Sequence, residues 1–491
     1  MTGRLSVGKW RVKAALQNPL FVLAVLSVLN AAVYLLLFVR PWSLPALYTR
    51  PLLDLRRLSA DDPLARWRLL AGFGLLALFY WLGWRAARRA RGRSAWVLIL
   101  AGAAISGAIL LLLYPFGAAD VFDNIMHGRI LSVYGANPFD QVAADFQADP
   151  FYAYVGWQRF PSAYGSGWEL LAAATTRLAG DGIVANVLAF KALGGLFLAG
   201  CVALVASLLR CTAPERAAAG VLLLAWNPLI LYETLGQGHN DVSMLFWVLV
   251  CVWCLAHRRY TLAILALVAG ALFKFVPLLL LPAAGLIALR ALPGAKARLH
   301  FAAVTACAAL ILVGLAYVPF WHGADTLGIE NRRELFTTSL PAVAYALLEA
   351  PLGREHAIST VSLAAAVLTL LFALWQGIQA SRAPSWQSFV QAAFSVLMFY
   401  LLFTCLWFQQ WYAIWPLGLV PLLPTGHAWL GVSFGFAVLA KPLVFEPLWL
   451  WPYSTPDRGW LELRLGPAVL AVPWLLTLAV LWLGWQGRRS R

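Results

Sequence analysis

The sequence predicts an all-α, polytopic integral membrane protein of about fourteen transmembrane helices, and three observations carry that expectation. Of the 491 residues, 62% are hydrophobic and only 12% are charged, against about 45–50% and about 25% in soluble domains. Apolar runs near the ~20 residues that cross a bilayer recur along the whole chain. Lysines and arginines gather in alternate connections, as cytoplasmic loops do. The net charge of +16 is then a membrane feature. Basic residues flank the spans and face anionic headgroups, which removes nucleic acid as the implied partner.

The first run, 19–39, follows a basic start (Arg4, Lys9, Arg11, Lys13) and lacks a small-residue cleavage site. It reads as an anchor with its N-terminus in the cytoplasm. Further spans are expected at 69–84, 96–116, 183–209, 217–232, 242–256, 261–274, 276–290, 301–320, 357–379, 387–406, 411–423, 428–444 and 466–485. This order puts Arg85–Arg93, Arg210, Arg216, Arg258, Arg259, Arg290–Arg298, Arg382 and Arg488–Arg491 in the cytoplasm, with both termini. Residues 40–68 dissent, carrying six arginines on the outer side. The large outer regions are 117–182, 321–356 and 445–465. Three divisions follow: N-terminal spans with a cytoplasmic basic loop (1–95), a core with a chemically rich outer loop (96–290), and a C-terminal transmembrane scaffold (291–491). The six cysteines sit mostly in apolar runs, and Cys251 and Cys254, although spaced CxxC, lack other soft ligands nearby. They read as packing.

Four polar islands interrupt the apolar pattern. The first is Asp120–Phe139. Read as a helix, it puts Phe122, Ile125, Met126, Ile130 and Val133 on one side. Asp120, Asp123, Asn124 and His127 lie on the other, at i, i+3, i+4 and i+7. That predicts an amphipathic helix in the first large extracytoplasmic loop, its polar strip facing water. Arg129 follows, and Tyr134–Pro138 reads as a turn. An ordinary amphipathic connector would share this pattern. In the second island, Trp226–Asp241, Gly236, Gln237 and Gly238 break a span and His239, Asn240 and Asp241 open the next. Asn240 or Asp241 suits a helix cap. His239 exceeds what a turn needs, and a helix start offers N–H groups to an anion.

The third island, Gly270–Pro277, holds Lys274. With Lys191 and Lys441 it makes three lysines in spans, all near the outer face. Snorkelling explains one of them, whereas three on one side point to an anionic ligand. The fourth, Trp407–Pro416, contains Gln409, Gln410, Trp411 and Tyr412. It suits an interfacial aromatic belt, or an aromatic and amide wall for a sugar or isoprenoid.

In order along the chain, Asp120-Val-Phe-Asp-Asn124 with Gly128-Arg129 and Gly135–Phe139, then Asn227-Pro228, Gly236–Asp241, Lys274–Pro277 and Trp411-Tyr412, resemble the motif blocks of GT-C class glycosyltransferases. The likeness is greatest to polyprenyl-phosphate-mannose-dependent mannosyltransferases and the related family 87 enzymes. It spans most of 96–425 and leaves 1–95 outside. The D-x-x-D spacing of Asp120 and Asp123 departs from the adjacent or D-x-D pair of some relatives. The resemblance implies a GT-C-like membrane enzyme with its site at the extracytoplasmic face, a polyprenyl-phosphate sugar as donor and a first-loop acidic residue as base.

The expected reaction transfers a sugar, mannose favoured, to a hydroxyl of a glycan or lipid acceptor, with inversion, at a prokaryotic plasma membrane. Asp120 would serve as base, with Asp123 as the second candidate. Lys274, His239, Arg129 and Lys191 would hold the donor phosphate. His127, Asn137, Gln237, Asn240, Asp241, Gln409, Gln410, Trp411 and Tyr412 would contact substrate. No metal cluster is expected and no cofactor is required, although Asp120 and Asp123 could hold one divalent cation. The rival reading is a transporter or flippase for a lipid-linked or small anionic solute. That would place ionisable groups near the midplane on broken helices in matched halves, and the sequence shows no such halves.

Overall fold

The computed structural model describes residues 17–323, 326 and 335–440. The basic start, Lys441, the outer region 445–465, the expected span 466–485 and Arg488–Arg491 lie outside the described residues. Helix α1, Pro19–Val33, starts at Asn18, whose side chain accepts the N–H groups of Leu20 and Phe21, with Pro19 at the first position. A π turn over Tyr34–Val39 continues it. Helices α2 (Ala65–Ala87) and α3 (Arg93–Leu111) pack against α1. Then come α4 (Asp120–Ser132), α5 (Ser166–Ala179) and the long α6 (Ile183–Thr212).

Helix α7 (Pro214–Ala225) bends by 44° into Pro228–Gly236, whose end is a π turn, Tyr232–Gly236. Helices α8 (Asp241–Ala256), α9 (Tyr260–Ala271), α10 (Leu281–Ala291) and α11 (Gly294–Tyr317) follow. The described chain closes with α12 (Leu340–Leu352), α13 (Arg354–Arg382), α14 (Trp386–Phe399) and α15 (Thr425–Leu439).

Among the described residues, seven helices are long and apolar enough to cross a membrane, or eight with the bent pair counted as one span. Five shorter apolar helices accompany them: α8, α9, Val276–Ala291, α12 and α15. Leu299, Leu310 and Leu315 on α11 are more than 70% exposed. An apolar surface of that kind suits contact with lipid tails rather than water. The protein is a polytopic helical membrane protein.

Two expectations about the spans and outer loops change. The run 411–423 forms no span. It breaks into Gln410–Ala413, Ile414–Leu417 and Val420–Leu422, because Pro416 and Pro421 lack the N–H a continuous helix needs. Within the region expected as loop 321–356, α12 forms instead, capped by the Ser339 side chain, which accepts the Ala342 N–H at 3.1 Å.

Helix α4 forms where the periodicity places it, but its polar face does not meet water. Residues Val121–Ile130 are buried on every side. Helix α5 covers one side, and a Cβ at Gly128 would lie 2.6 Å from the Ala172 carbonyl oxygen. Only glycine permits that approach. Ser132 and Thr176 share a hydroxyl hydrogen bond of 2.8 Å along the same seam. The connection 137–165 covers the other side, with the Tyr154 ring tilted against Phe122 at 5.0 Å between centroids.

Candidate active site

The four polar islands meet at one end of the helix bundle. Asp120 is the first residue of α4, where a carboxylate faces the positive end of the helix dipole. The chain leading to it is braced on several sides. Leu44 N–H donates to the Leu112 carbonyl at 2.7 Å and Tyr114 N–H to the Trp42 carbonyl at 2.8 Å. Lys191 donates to the Leu113 carbonyl and, at 3.4 Å, to that of Leu111. Gly117 N–H donates to Gln237 Oε1 at 2.6 Å. Asp120 keeps accessible surface although protein surrounds it, so its carboxylate faces a recess. Burial raises its pKa, opposed by the positive charge of His239 and Lys274 and reinforced by Asp241. A raised pKa makes it the stronger proton acceptor.

Asp123, one turn on, differs. Its Oδ1 accepts the Trp157 N–H at 3.0 Å. Burial, then the charge of Asp120, pushes its pKa up to about 8, so it is protonated at neutral pH. Burial also holds the pKa of His127 down at about 4, keeping that imidazole neutral.

Opposite Asp120 stands a buried cluster. His239 Nδ1 lies 2.9 Å from a Glu233 carboxylate oxygen, with both side chains almost wholly enclosed. The π turn presents Glu233, and His239 N–H donates back to its carbonyl at 3.0 Å. The imidazole stacks on Trp411 at 3.8 Å and 15°. Asp241 opens α8. Its Oδ1 accepts the Trp415 indole N–H at 2.6 Å and its Oδ2 lies 2.7 Å from Lys274 Nζ. The Lys274 ammonium also lies 5.3 Å from the Tyr164 ring and 5.5 Å from the Tyr412 ring. Asn240 does not cap α8 with its side chain. Its amide oxygen and nitrogen, Gln237 Nε2 and His239 Nε2 are buried without a partner. Such groups suit a site that receives a polar ligand.

Other residues picked from the sequence stand elsewhere. Arg129 is held by Asp149 at 2.8 Å and Asp181 at 2.8 Å, over the Phe151 ring. Its guanidinium is engaged in holding the loop, not turned to the recess. Lys191 is spent on the carbonyls that end α3. Asn137 donates to the Phe320 carbonyl at 2.9 Å, tying two outer connections. Gln410 is buried beside Glu233, whereas Gln409 is only half-buried. Glu233, Tyr164 and Trp415 were not singled out. The signal for Glu233 was present: a carboxylate at the end of an apolar run, six residues before His239. Among the described residues, no three His, Cys, Asp or Glu side chains form a metal-holding group.

Residues 38–290, just over half of the chain, match the family described as alpha-(1->6)-mannopyranosyltransferase, N-terminal domain (MptA_B family). The chain belongs to that family. No curated protein matches it. As an MptA_B family member it is a membrane-embedded glycosyltransferase, which implies a sugar donor and a glycan acceptor. The match begins at residue 38 and so reaches further back than residue 96, where the resemblance read from the motif blocks begins. The structure supplies a reason. The 42–50 segment braces the approach to Asp120, with Tyr154 donating to the Tyr48 carbonyl at 2.6 Å and Tyr114 to that of Arg50 at 2.7 Å. Trp411 and Tyr412 lie beyond the matched region, yet the fold brings Trp411 onto His239.

Proposed function

We propose that this protein transfers mannose from a polyprenyl-phosphate donor to a mannoside hydroxyl at the extracytoplasmic face, the 6-hydroxyl being the acceptor its family description suggests. The observation that carries this reading is the pairing across one recess of a raised-pKa carboxylate, Asp120, with a cationic group, Lys274, and a carboxylate-held imidazole, His239. Asp120 takes the proton of the acceptor hydroxyl as its oxygen attacks the anomeric carbon. The bond from that carbon to the donor phosphate oxygen breaks, and the lipid phosphate leaves as an anion. Lys274 and His239 meet that charge. Glu233 orients His239 and favours its charged form. Asp241 and Trp415 fix the Lys274 ammonium, and Trp411 backs the imidazole. Asp123 braces the loop that closes the recess. One displacement inverts the anomeric centre, so an α product requires a β-linked donor.

Two variants separate the roles. Asp120→Asn keeps size and polarity but removes proton acceptance, so transfer should fall ~10²–10⁴-fold with donor binding retained. Lys274→Met keeps the stem and removes the charge, so it should weaken donor binding as well as turnover. Normal transfer by Asp120→Asn would falsify the general-base assignment.

A further inference from the structure

A second cavity lies at the opposite end of the bundle from the catalytic recess. It is about 420 Å³ and opens between α2, α7 and α15. Helix α7 links the two places: Arg216, near its start, lines the cavity, and the continuation of the same bent helix ends at Glu233.

The walls are apolar and aromatic. Trp84 and Trp429 meet edge-on at 5.4 Å, and Tyr80 and Phe436 at 5.9 Å. The one hydroxyl among these rings is satisfied, since Tyr80 donates to the Leu223 carbonyl at 2.8 Å. Thr425 and Ser433 add two hydroxyls to a lining that is otherwise mostly apolar, so the walls suit a hydrocarbon tail. The ionisable side chains on the lining are Arg88 and Arg216, both cationic and exposed. Neither has an ion-pair partner among the described residues. Arg88 lies over the Trp84 ring at 5.0 Å, at the mouth. Arg85, Arg89, Arg91 and Arg93 crowd the same end of α2.

We propose that this cavity is a binding site for an anionic phospholipid, its phosphate between Arg88 and Arg216 and a hydrocarbon tail against Trp84, Trp429 and Phe436. Charge selects the occupant. Two unpaired guanidiniums above an oily slot fit a phosphate that carries a tail, and neither a free anion nor a neutral lipid supplies both halves. The site lies across the bundle from Asp120 and Lys274, so it is separate from the donor site and does not rest on the proposed reaction. By filling the slot the lipid ties α2 and α15 to α7, the helix whose far end presents Glu233 to His239.

The test uses the purified full-length protein in detergent. Thermal stability and retained lipid are measured after adding phosphatidylglycerol, phosphatidylcholine, inorganic phosphate or polyprenyl phosphate. Phosphatidylglycerol should raise the melting temperature and be retained, with the other three well below it. The exposed double substitution R88Q/R216Q should weaken that binding about 25-fold, at about fivefold per arginine. Ala428→Trp, which fills the slot and leaves both arginines, should also abolish it. An equal phosphatidylglycerol effect in wild type and R88Q/R216Q would overturn the proposal, as would no effect of any lipid. Preference for polyprenyl phosphate would overturn it too, making the slot a donor-lipid site.

Discussion

Asp120 and Asp123 sit one turn apart on the same helix, and their surroundings give them different protons. Asp120 faces a recess with Lys274 and His239 across it and is the proposed base, so kcat/KM should lose activity on the acid side at a pH above the ordinary carboxylate value of 3.8. Asp123 is enclosed, and its pKa stands at about 8. An acid raised by burial holds a proton in the folded state that the unfolded chain has released. Its contribution is therefore fully present below the unfolded value and is lost as pH rises through about 8. Asp123→Asn cannot ionise, and its amide oxygen can still accept the Trp157 N–H. It should keep most activity near neutrality, and its melting temperature should fall less than wild type between about pH 6 and pH 9. Equal slopes in the two proteins would mean that Asp123 is ionised in the folded state. Glu169, enclosed beside Ser162 with its pKa also at about 8, works in the same direction and leaves a residual slope in the variant.

At the scale of elements, Lys274, the proposed donor-phosphate ligand, is positioned by a contact between segments more than a hundred residues apart. Gly165 N–H donates to the Phe273 carbonyl at 3.1 Å, and Trp168 N–H to that of Leu272 at 3.1 Å. A Cβ at Gly165 would stand 2.3 Å from the Leu272 carbonyl oxygen, so backbone must move to admit it. Gly165→Ala should destabilise by about 1–3 kcal/mol. By shifting Lys274 it should cut kcat up to about 10²-fold, and a wild-type rate with a wild-type melting temperature would contradict that coupling. The helices themselves were legible in the sequence, because a long apolar run has few alternatives. The run 411–423 was misread because apolarity was weighed above Pro416 and Pro421. The fate of the polar face of α4 was not legible. Periodicity reports that a face is polar, not whether water or Trp157 and α5 will cover it. Arg129 was misassigned for the same reason, since its partners Asp149 and Asp181 lie 20 and 52 residues away and nothing local announces them.

At the scale of the whole molecule, the catalytic cluster occupies one end of the bundle, while Arg85–Arg93, Arg210 and Arg216 crowd the other. The positive-inside rule supports the proposed orientation, with the recess outward. In a background lacking the exposed Cys211 and Cys307, a cysteine at Asp140 should react with an impermeant thiol reagent from outside cells. One at Ala295 should not, and the reverse pattern would invert the orientation. In the proposed orientation the recess cannot draw on cytoplasmic nucleotide sugars, which is why a lipid-carried donor is proposed. The most direct measurement incubates the purified protein and a mannoside acceptor with polyprenyl-phosphate mannose in one reaction and a nucleotide-linked mannose in another, and assays product linkage. Transfer from the lipid-linked donor alone, giving an α-linked product from a β-linked donor, is the expected result. Transfer from the nucleotide sugar with the lipid-linked donor inert would contradict it.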